Sequence, residues 1–289
     1  MSEGLKRIAE LPPLPERPAV GHKGMFGRVL IVGGNDGMIG APAFAGAAAL
    51  RMGAGLVQLA VPRSALAAAL SITPECIGIG LGKASAKDDL LKAADLADAV
   101  VIGPGLGRTP EAEARLVRLV RLEKPMVIDA DGLNILAAMK KWPAFFKARA
   151  VLTPHPGEMK RLAKLIGREN VPSDDEGRTD IAAALATTVG QVVVLKGNRT
   201  VVTDGRRAYL NQTGDSTLSK AGTGDVLSGM LATLLAQGME RFEAATLGVH
   251  LHGMAGEIAG QRFGRRSALA REVIDAIGEA LRQVECRGH

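Results

Sequence analysis

The sequence is poor in cysteine and in aromatic residues. Cys76 and Cys286 are its only cysteines, far apart and outside any Cys-x-x-Cys spacing, which argues against a disulfide framework or a cysteine zinc site. Aromatic residues make up 3% of the chain, which does not favour an aromatic-rich β-sandwich or a base-stacking surface for nucleic acid. A reducing compartment fits this composition, and we expect a cytoplasmic protein.

The chain also lacks a long hydrophobic run. Its most apolar stretch, residues 41–50, is short and is followed by Arg51, so it falls below the length that crosses a bilayer. The segment Met1–Pro18 carries charges and prolines in place of the apolar core of a secretory signal. We therefore expect no membrane partner.

Neither positive nor negative charge is strongly concentrated in one part of the sequence. The formal net charge is +6, but the basic residues are spread along the chain, with a mild cluster at Arg262, Arg265 and Arg266. A polyanionic small molecule accounts for this balance as well as DNA does, and we expect no nucleic-acid partner.

Short apolar runs alternate with helical segments. The runs are rich in β-branched residues and lack polar alternation, which is typical of strands buried on both faces of a parallel sheet; they cover residues 29–32, 57–61, 99–102, 126–128, 150–152 and 191–195. Helices are predicted over Pro42–Met52, Glu111–Leu122, Gly157–Ile166, Thr179–Thr188, Val226–Gln237, Ala244–Phe263 and Ser267–Val284. Residues 199–210 predict a hairpin with an Asp204-Gly205 turn.

This βαβα order predicts an α/β fold with a doubly wound, mainly parallel central sheet, helices on both sides and an antiparallel hairpin at its edge. We expect one domain over residues 1–289, with residues 1–20 as an N-terminal extension. Ligands should bind at the carboxyl ends of the strands.

The most informative segment is Ser219–Asp225, which precedes an apolar helical run. Its two glycines permit a tight turn, and the following helix directs free N–H groups and its positive dipole end toward that turn. Asp225 at the end of an anion site suits a base that removes a proton from a hydroxyl about to attack a phosphate. The alternative is an N-cap at Thr223 with Asp225 in the first helical turn.

Further loops follow the predicted strands. Gly33–Pro42 and Gly103–Arg108 are glycine-rich, but the second has Arg108 where a dinucleotide fingerprint requires its third glycine, and no P-loop motif occurs. Asp129–Asn134 either orients a substrate or metal, or forms an Asp-Gly turn that caps a helix.

Two more loops carry polar side chains. In Thr153–Glu158 two prolines flank His155, which favours a ligand contact over a packing role. Lys196–Thr200 presents two cations near a glycine turn, where it either meets a nucleotide or is a solvated entry to the hairpin.

Together these motifs resemble, in content and order, the ADP- or ATP-dependent NAD(P)H-hydrate dehydratase family of the ribokinase-like fold. The resemblance covers residues from Gly21 to the last helix. It implies a lyase that repairs hydrated NADH or NADPH, with ADP or ATP as phosphoryl donor and Mg²⁺. Thr200 and Thr223 resemble the branch that uses ADP.

The resemblance also assigns residues, which are carried over one by one. The substrate-binding residues that it implies are Ala41, Gly105, His155 and Asp225, with Asp225 as the catalytic base. The nucleotide-binding residues that it implies are Lys196, Gly197, Asn198, Arg199, Thr200 and Gly224. No metal ligands are assigned.

The resemblance further implies a homo-oligomer, specifically a tetramer. Many members carry an epimerase domain ahead of this region, for which this chain has no room, so a separate epimerase is expected to supply the S form of the hydrate. The alternative function is a vitamin kinase of the same fold, acting on hydroxymethylpyrimidine or pyridoxal, but such kinases have an asparagine where this chain has His155.

Overall fold

The computed structural model describes residues 4–82, 86–139 and 141–286. Their β-strands cover Lys6–Ile8 (β1), Arg28–Val32 (β2), Leu56–Pro62 (β3), Ile77–Leu81 (β4), Ala99–Ile102 (β5), Pro125–Ile128 (β6), Arg149–Leu152 (β7), Val192–Leu195 (β8), Val201–Thr203 (β9) and Arg207–Leu210 (β10). Their α-helices cover Gly40–Arg51 (α1), Leu66–Ile72 (α2), Ala86–Leu96 (α3), Pro110–Leu119 (α4), Ala130–Ala138 (α5), Pro156–Leu162 (α6), Asp175–Val189 (α7), Thr223–Ala236 (α8), Arg241–Phe263 (α9) and Ala270–Glu285 (α10). None of these helices combines the length and the apolar character needed to cross a bilayer.

The strands form one sheet in the order β1-β10-β9-β8-β7-β6-β5-β2-β3-β4. Every pairing from β8 to β4 is parallel, whereas β9 pairs antiparallel with both β8 and β10. The turn between β9 and β10 is built on Asp204, whose Oδ1 accepts the N–H groups of Arg206 and Arg207 at 2.9 and 2.6 Å. The predicted α/β architecture, with its mainly parallel sheet and antiparallel hairpin, is confirmed.

Two strands at the edges of the sheet are absent from the sequence prediction. β1 lies inside the segment predicted as an extension and pairs in parallel with β10, opposite Tyr209, so the hairpin is not the outermost part of the sheet. β4 contains Gly78 and Gly80, which lower strand propensity. A Cβ at Gly78 would lie 2.5 Å from the side chain of Leu66 in α2. Glycine at this position therefore allows α2 to pack closely against β4.

Helices cover both faces of the sheet. In β5, Ala99 and Val101 pack toward α1, α8, α9 and α10, while Val100 and Ile102 pack toward α3–α7. All four side chains are fully buried. This two-sided burial explains why the strands appear in the sequence as continuous apolar runs without polar alternation.

The contact between α1 and α8 fixes where α8 begins. A Cβ at Gly229 would lie only 2.0 Å from the backbone oxygen of Ala45 in α1, so the two helices touch through their backbones. Any larger residue would push α8 outward. The close packing sets the amino end of α8 over the carboxyl ends of the central strands, where the polar loops lie.

Candidate active site

The parallel strands bring the predicted loops to one edge of the sheet. In sheet order, Lys196 follows β8, His155 lies after β7, Asp129 follows β6, Gly103 follows β5 and Gly33 follows β2. Asp129 and Lys196 are thus separated by the width of one strand. The side chains of both can meet above β7.

A cavity of about 730 Å³ opens beside these strand ends. Among the sequence-predicted site residues, His155, Gly224 and the whole of Lys196–Thr200 line it. The rest of its wall comes from the segment that precedes α8 and from α8 and α9, namely Asn211, Thr213, Gly214, Asp215, Ser216, Leu218, Ser219, Lys220, Thr223, Leu227, Val249, His252 and Gly253. The cavity has the size of a small-molecule site.

Ala41 and Gly105 are adjacent to each other but do not line this cavity. A Cβ at Gly105 would lie 3.4 Å from the Cβ of Ala41 and 2.4 Å from the oxygen of Met38, so the two glycine-rich loops are in close contact. Asn35 ties them together, because its Nδ2 donates to the oxygen of Gly105 at 2.8 Å. A side chain at Gly105 would separate the loops.

Lys196 is held in a buried ion pair. Its ammonium lies 2.7 Å from Oδ1 of Asp129, which is 2% exposed, and the hydroxyl of Ser228 in α8 donates to Oδ2 of the same carboxylate at 2.7 Å. Burial opposes both charges, but the pair is mutually stabilised: the pKa of Lys196 is raised by Asp129 and Glu158, and the pKa of Asp129 is lowered by Lys196. Asp129 occupies the N-cap position of α5, but its carboxylate makes no capping bond there; it binds Lys196 and Ser228 instead.

Two further carboxyl groups share this lysine. Burial raises the pKa of Asp225 to about 7, and Asp129 and Glu158 add to the rise while Lys196 opposes it. Burial likewise raises the pKa of Glu158 to about 7, although its Oε2 lies 4.0 Å from the Lys196 ammonium. One ammonium does not stabilise the charges of all three nearby carboxylates, so two of these groups, Asp225 and Glu158, are able to hold a proton near neutral pH.

His155 is fixed by the start of α6. Its ring Nδ1 accepts the backbone N–H of Gly157 at 2.9 Å, and its backbone N–H donates to Oε2 of Glu158 at 2.8 Å. The side chains of His155 and Glu158 thus form a capping box. Burial, Lys196 and Arg161 lower the pKa of His155, which keeps the ring neutral. Since Nδ1 accepts, Nε2 carries the proton, and it lies 3.3 Å from Oε1 of Glu158.

The amino end of α8 differs from the N-cap alternative. The helix begins at Thr223 after Gly222, whose φ is +93°, and the Thr223 hydroxyl donates to the oxygens of Leu218 and Lys220 at 2.7 and 2.8 Å. Thr223 is therefore a first-turn residue that anchors the preceding segment, and Asp225 lies in the first turn as well. The N–H groups of this turn are the orphan donors of a helix start.

Asp131 and Asn134, the other polar residues of the Asp129–Asn134 segment, make contacts within the protein. Asp131 accepts the N–H of Gly107 at 2.9 Å, and Asn134 accepts from Arg161 at 3.2 Å. The sequence prediction missed Ser228, which binds Asp129, and Arg178, which contacts the Lys196–Thr200 loop. Ser228 lies one helical turn after Gly224, a spacing that places it on the same side of α8.

The fold and this site define a ribokinase-like protein. A ribokinase-like superfamily protein from Enterococcus faecalis shares the fold with a TM-score of 0.82, at 23% identity and 98% coverage of both chains. The ADP/ATP-dependent NAD(P)H-hydrate dehydratase from Bacillus subtilis, co-crystallised with ATP and Mg²⁺, is 31% identical, with a TM-score of 0.80 over 94% of this chain and 95% of that one.

The family model described as NAD(P)H-hydrate dehydratase matches residues 29–279. The bifunctional NAD(P)H-hydrate repair enzyme Nnr of Moorella thermoacetica is 42% identical over 94% of this chain and 52% of its own length. The enzyme of the same name from Escherichia coli is 38% identical over 91% of this chain and 49% of its own length. The chain spans about half the length of the curated relatives it matches. It belongs to the NAD(P)H-hydrate dehydratase family, which confirms the resemblance seen in its motifs.

Proposed function

We propose that this chain is an ADP-dependent (S)-NAD(P)H-hydrate dehydratase that restores NADH or NADPH from the hydrated cofactor and releases AMP and phosphate. Family membership supports the reaction class. The single observation that carries the chemistry is Asp225, a carboxyl group with a pKa of about 7 in the first turn of α8 that interacts with Lys196. Asp225 does not itself line the cavity, but Gly224, the residue before it, and Lys196 do.

Asp225 is the base in this proposal. It accepts the proton of the ring hydroxyl while that oxygen attacks the terminal phosphorus of ADP and the bond from phosphorus to the AMP oxygen breaks. The new phosphate ester then leaves as phosphate, and loss of a ring proton restores the reduced nicotinamide. A carboxylate with a pKa near 7 is a stronger base than an ordinary aspartate and is still ionised in part of the molecules at neutral pH.

The nucleotide lies along Lys196–Thr200 and Gly224 in this proposal. The orphan N–H groups of α8 and the cations of Lys196 and Arg199 offer donors to its phosphates. The hydrated dinucleotide then contacts the neutral ring of His155, which lines the cavity, and extends toward Ala41 and Gly105. Gly105 contributes through the loop contact that it permits, because the space of its missing Cβ is filled by Met38 and Ala41.

Magnesium supplies charge neutralisation for the phosphoryl groups when it is bound. Among the described residues, no group of three or more His, Cys, Asp or Glu side chains is arranged to hold a metal ion. Mg²⁺ typically binds through substrate phosphates with one or two carboxylates and several waters. We therefore propose that the ion enters with the nucleotide and has no cage of its own in the part of the chain described.

The test is turnover of the hydrate. The protein is incubated with (S)-NADPH hydrate or (S)-NADH hydrate, Mg²⁺, and either ADP or ATP, and the absorbance of the reduced nicotinamide is followed together with AMP and phosphate. Stoichiometric AMP, phosphate and reduced cofactor support the proposal. Absence of turnover with both nucleotides, or phosphorylation of hydroxymethylpyrimidine or pyridoxal in its place, would refute it.

Two partner assignments accompany the activity as proposals. An NAD(P)H-hydrate epimerase supplies the S form, which is tested by adding an equimolar mixture of the R and S epimers and measuring whether half of it is left until an epimerase is added. The chain acts as a homo-oligomer, with a tetramer as the expected state, which light scattering after size-exclusion chromatography measures directly.

A further inference from the structure

The guanidinium of Arg178, in the first turn of α7, is almost wholly inside the protein. The residue is 7% exposed, and burial lowers its pKa, with Asp175 opposing that effect. A buried arginine is costly unless its donors are satisfied. The cost is offset here by contacts with one short segment, the loop that follows β8.

The hydrogen bonds of Arg178 are with carbonyl groups, and its Nη1 also lies 3.8 Å from Oδ1 of Asp175. Its Nη1 donates to the oxygens of Asn198 and Arg199 at 2.5 and 3.3 Å, and its Nη2 donates to those of Leu195 and Lys196 at 3.2 and 3.4 Å. One fork thus gathers four carbonyl oxygens from five consecutive residues. Only a planar group with several fixed donors can make this set of bonds.

The loop is shaped around this guanidinium. Gly197 has a φ of +144°, and a Cβ there would lie 2.9 Å from Nη2 of Arg178. Arg199 has a φ of +53°, which is uncommon for a residue with a side chain. Asp175, next to Arg178 on α7, pairs with Nη1 of Arg199 at 2.6 Å. The left-handed conformation of Arg199 requires compensating contacts, and α7 supplies them.

The charge of Arg178 also acts on the ligand side. The four carbonyl oxygens are the negative ends of peptide dipoles, and a buried cation holds them turned inward. If they turned toward the cavity, they would repel the phosphates of a nucleotide. With these oxygens turned inward, the side of the loop that faces the cavity presents hydrogen-bond donors and cations.

We propose that Arg178 is a positioning residue for the nucleotide, which acts by holding the Lys196–Thr200 loop in the shape that accepts phosphate. This inference rests on the proposed function, since it takes that loop as the nucleotide site. Arg178 does not itself line the cavity. Its effect is therefore on the binding of ADP or ATP and not on the hydrated dinucleotide.

The experiment compares three variants with the wild-type protein. Arg178→Lys keeps the charge and loses the fork, and Arg178→Gln keeps two donors and loses the charge. Arg241→Lys is the matched control, because Arg241 contacts the opposite end of β8, where its Nη1 donates to Gln191 at 2.7 Å and to the oxygen of Gly190 at 3.4 Å. Calorimetry with ADP and with ATP gives Kd, steady-state kinetics give the KM of each substrate, and thermal melting reports folding.

We expect both Arg178 variants to raise the Kd and KM for nucleotide by at least about tenfold, the effect of losing hydrogen bonds to a charged group, with the KM for hydrate within about twofold. Arg241→Lys should leave both values near wild type. Equal losses for the two substrates, unchanged nucleotide affinity, or loss of a cooperative melting transition in both Arg178 variants would each overturn the inference. Failure of the wild-type protein to bind either nucleotide would instead refute the proposed function, and the inference with it.

Discussion

The carboxyl cluster predicts how the reaction depends on pH. Asp225 must be ionised to accept a proton, and its pKa is about 7, so about half of the free enzyme is competent at neutral pH. Below pH 7 we expect kcat/KM to fall about tenfold for each pH unit, since this ratio reports the ionisation of the free enzyme. The informative perturbation is Glu158→Gln. It removes a charge that raises the pKa of Asp225, yet glutamine still accepts the N–H of His155 and preserves the capping box.

The size of the effect follows from the order of the causes. Burial is the largest contribution to the raised pKa of Asp225, and Glu158 is the smallest of those named. Glu158 also has a pKa of about 7, so it carries its charge in only about half of the molecules there and the two groups titrate as a coupled pair. We therefore expect the acid limb of kcat/KM to move to lower pH by on the order of half a unit in Glu158→Gln.

The assay is the initial rate of hydrate repair at several pH values, with nucleotide and hydrate both well below their KM, so that the rate reports the free enzyme. Glu257→Gln is the matched control, since Glu257 accepts the N–H of Gly214 at 2.7 Å but is not among the charges that act on Asp225. In Glu257→Gln, the acid limb of kcat/KM should lie at the same pH as in the wild-type protein. A limb that moves to higher pH in Glu158→Gln, or one that does not differ from the control, would refute this account of the cluster.

Three other variants test the remaining assignments. Asp225→Asn should lower kcat by on the order of 10²-fold or more and leave ADP affinity equal or better; near-normal kcat would contradict the catalytic role. Because the pKa of Asp225 is raised on folding, its ionisation costs stability as pH rises from about 4 to about 7, so the same variant should melt higher than wild type at pH 8 and lose that advantage toward pH 4. His155→Asn retains an N-cap acceptor and should raise the KM for hydrate but not for ADP, whereas equal increases would mark His155 as structural. Lys196→Met leaves the buried carboxylate of Asp129 without its ion-pair partner, so it should lower the free energy of unfolding by about 3–5 kcal/mol and also weaken ADP binding. Adding Asp129→Asn to this variant should restore the melting temperature but not the ADP affinity. Recovery of both would show that Lys196 does not contact the nucleotide.

Much of the fold was predictable because burial on two faces leaves a clear pattern. The apolar runs predicted the central strands, and the order of strands and helices predicted their parallel pairing. β1 and β4 were missed for different reasons. β1 is only three residues long and its place is set by pairing with β10. β4 has glycines that are needed for the packing of α2, and glycine gives no strand signal.

The site was predictable only as far as strand order brings loops together. That rule predicted the meeting of His155 and Lys196, whereas Gly224 was assigned to the same site by the family resemblance; all three line the cavity. It gave no sign that Lys196 would be paired with Asp129, because the two are 67 residues apart and an ammonium at a strand end is equally able to face solvent or a ligand. The contacts of Arg178 were beyond the sequence for the same reason, since they depend on the path of a loop backbone.

The environment of Asp225 depends on how firmly α8 is held. Gly229 lets the helix touch α1, Ser228 binds the carboxylate of Asp129 at 2.7 Å, and the oxygen of Thr223 lies 2.9 Å from Nε2 of His252. These contacts come from three different directions, so the first turn of α8 has little freedom to shift. A base with a raised pKa must remain desolvated, because exposure to water would return that pKa toward the usual value for aspartate. The close packing of α8, which the sequence shows only as a glycine in an apolar helix, is therefore what keeps the pKa of Asp225 raised, as its proposed role as the base requires.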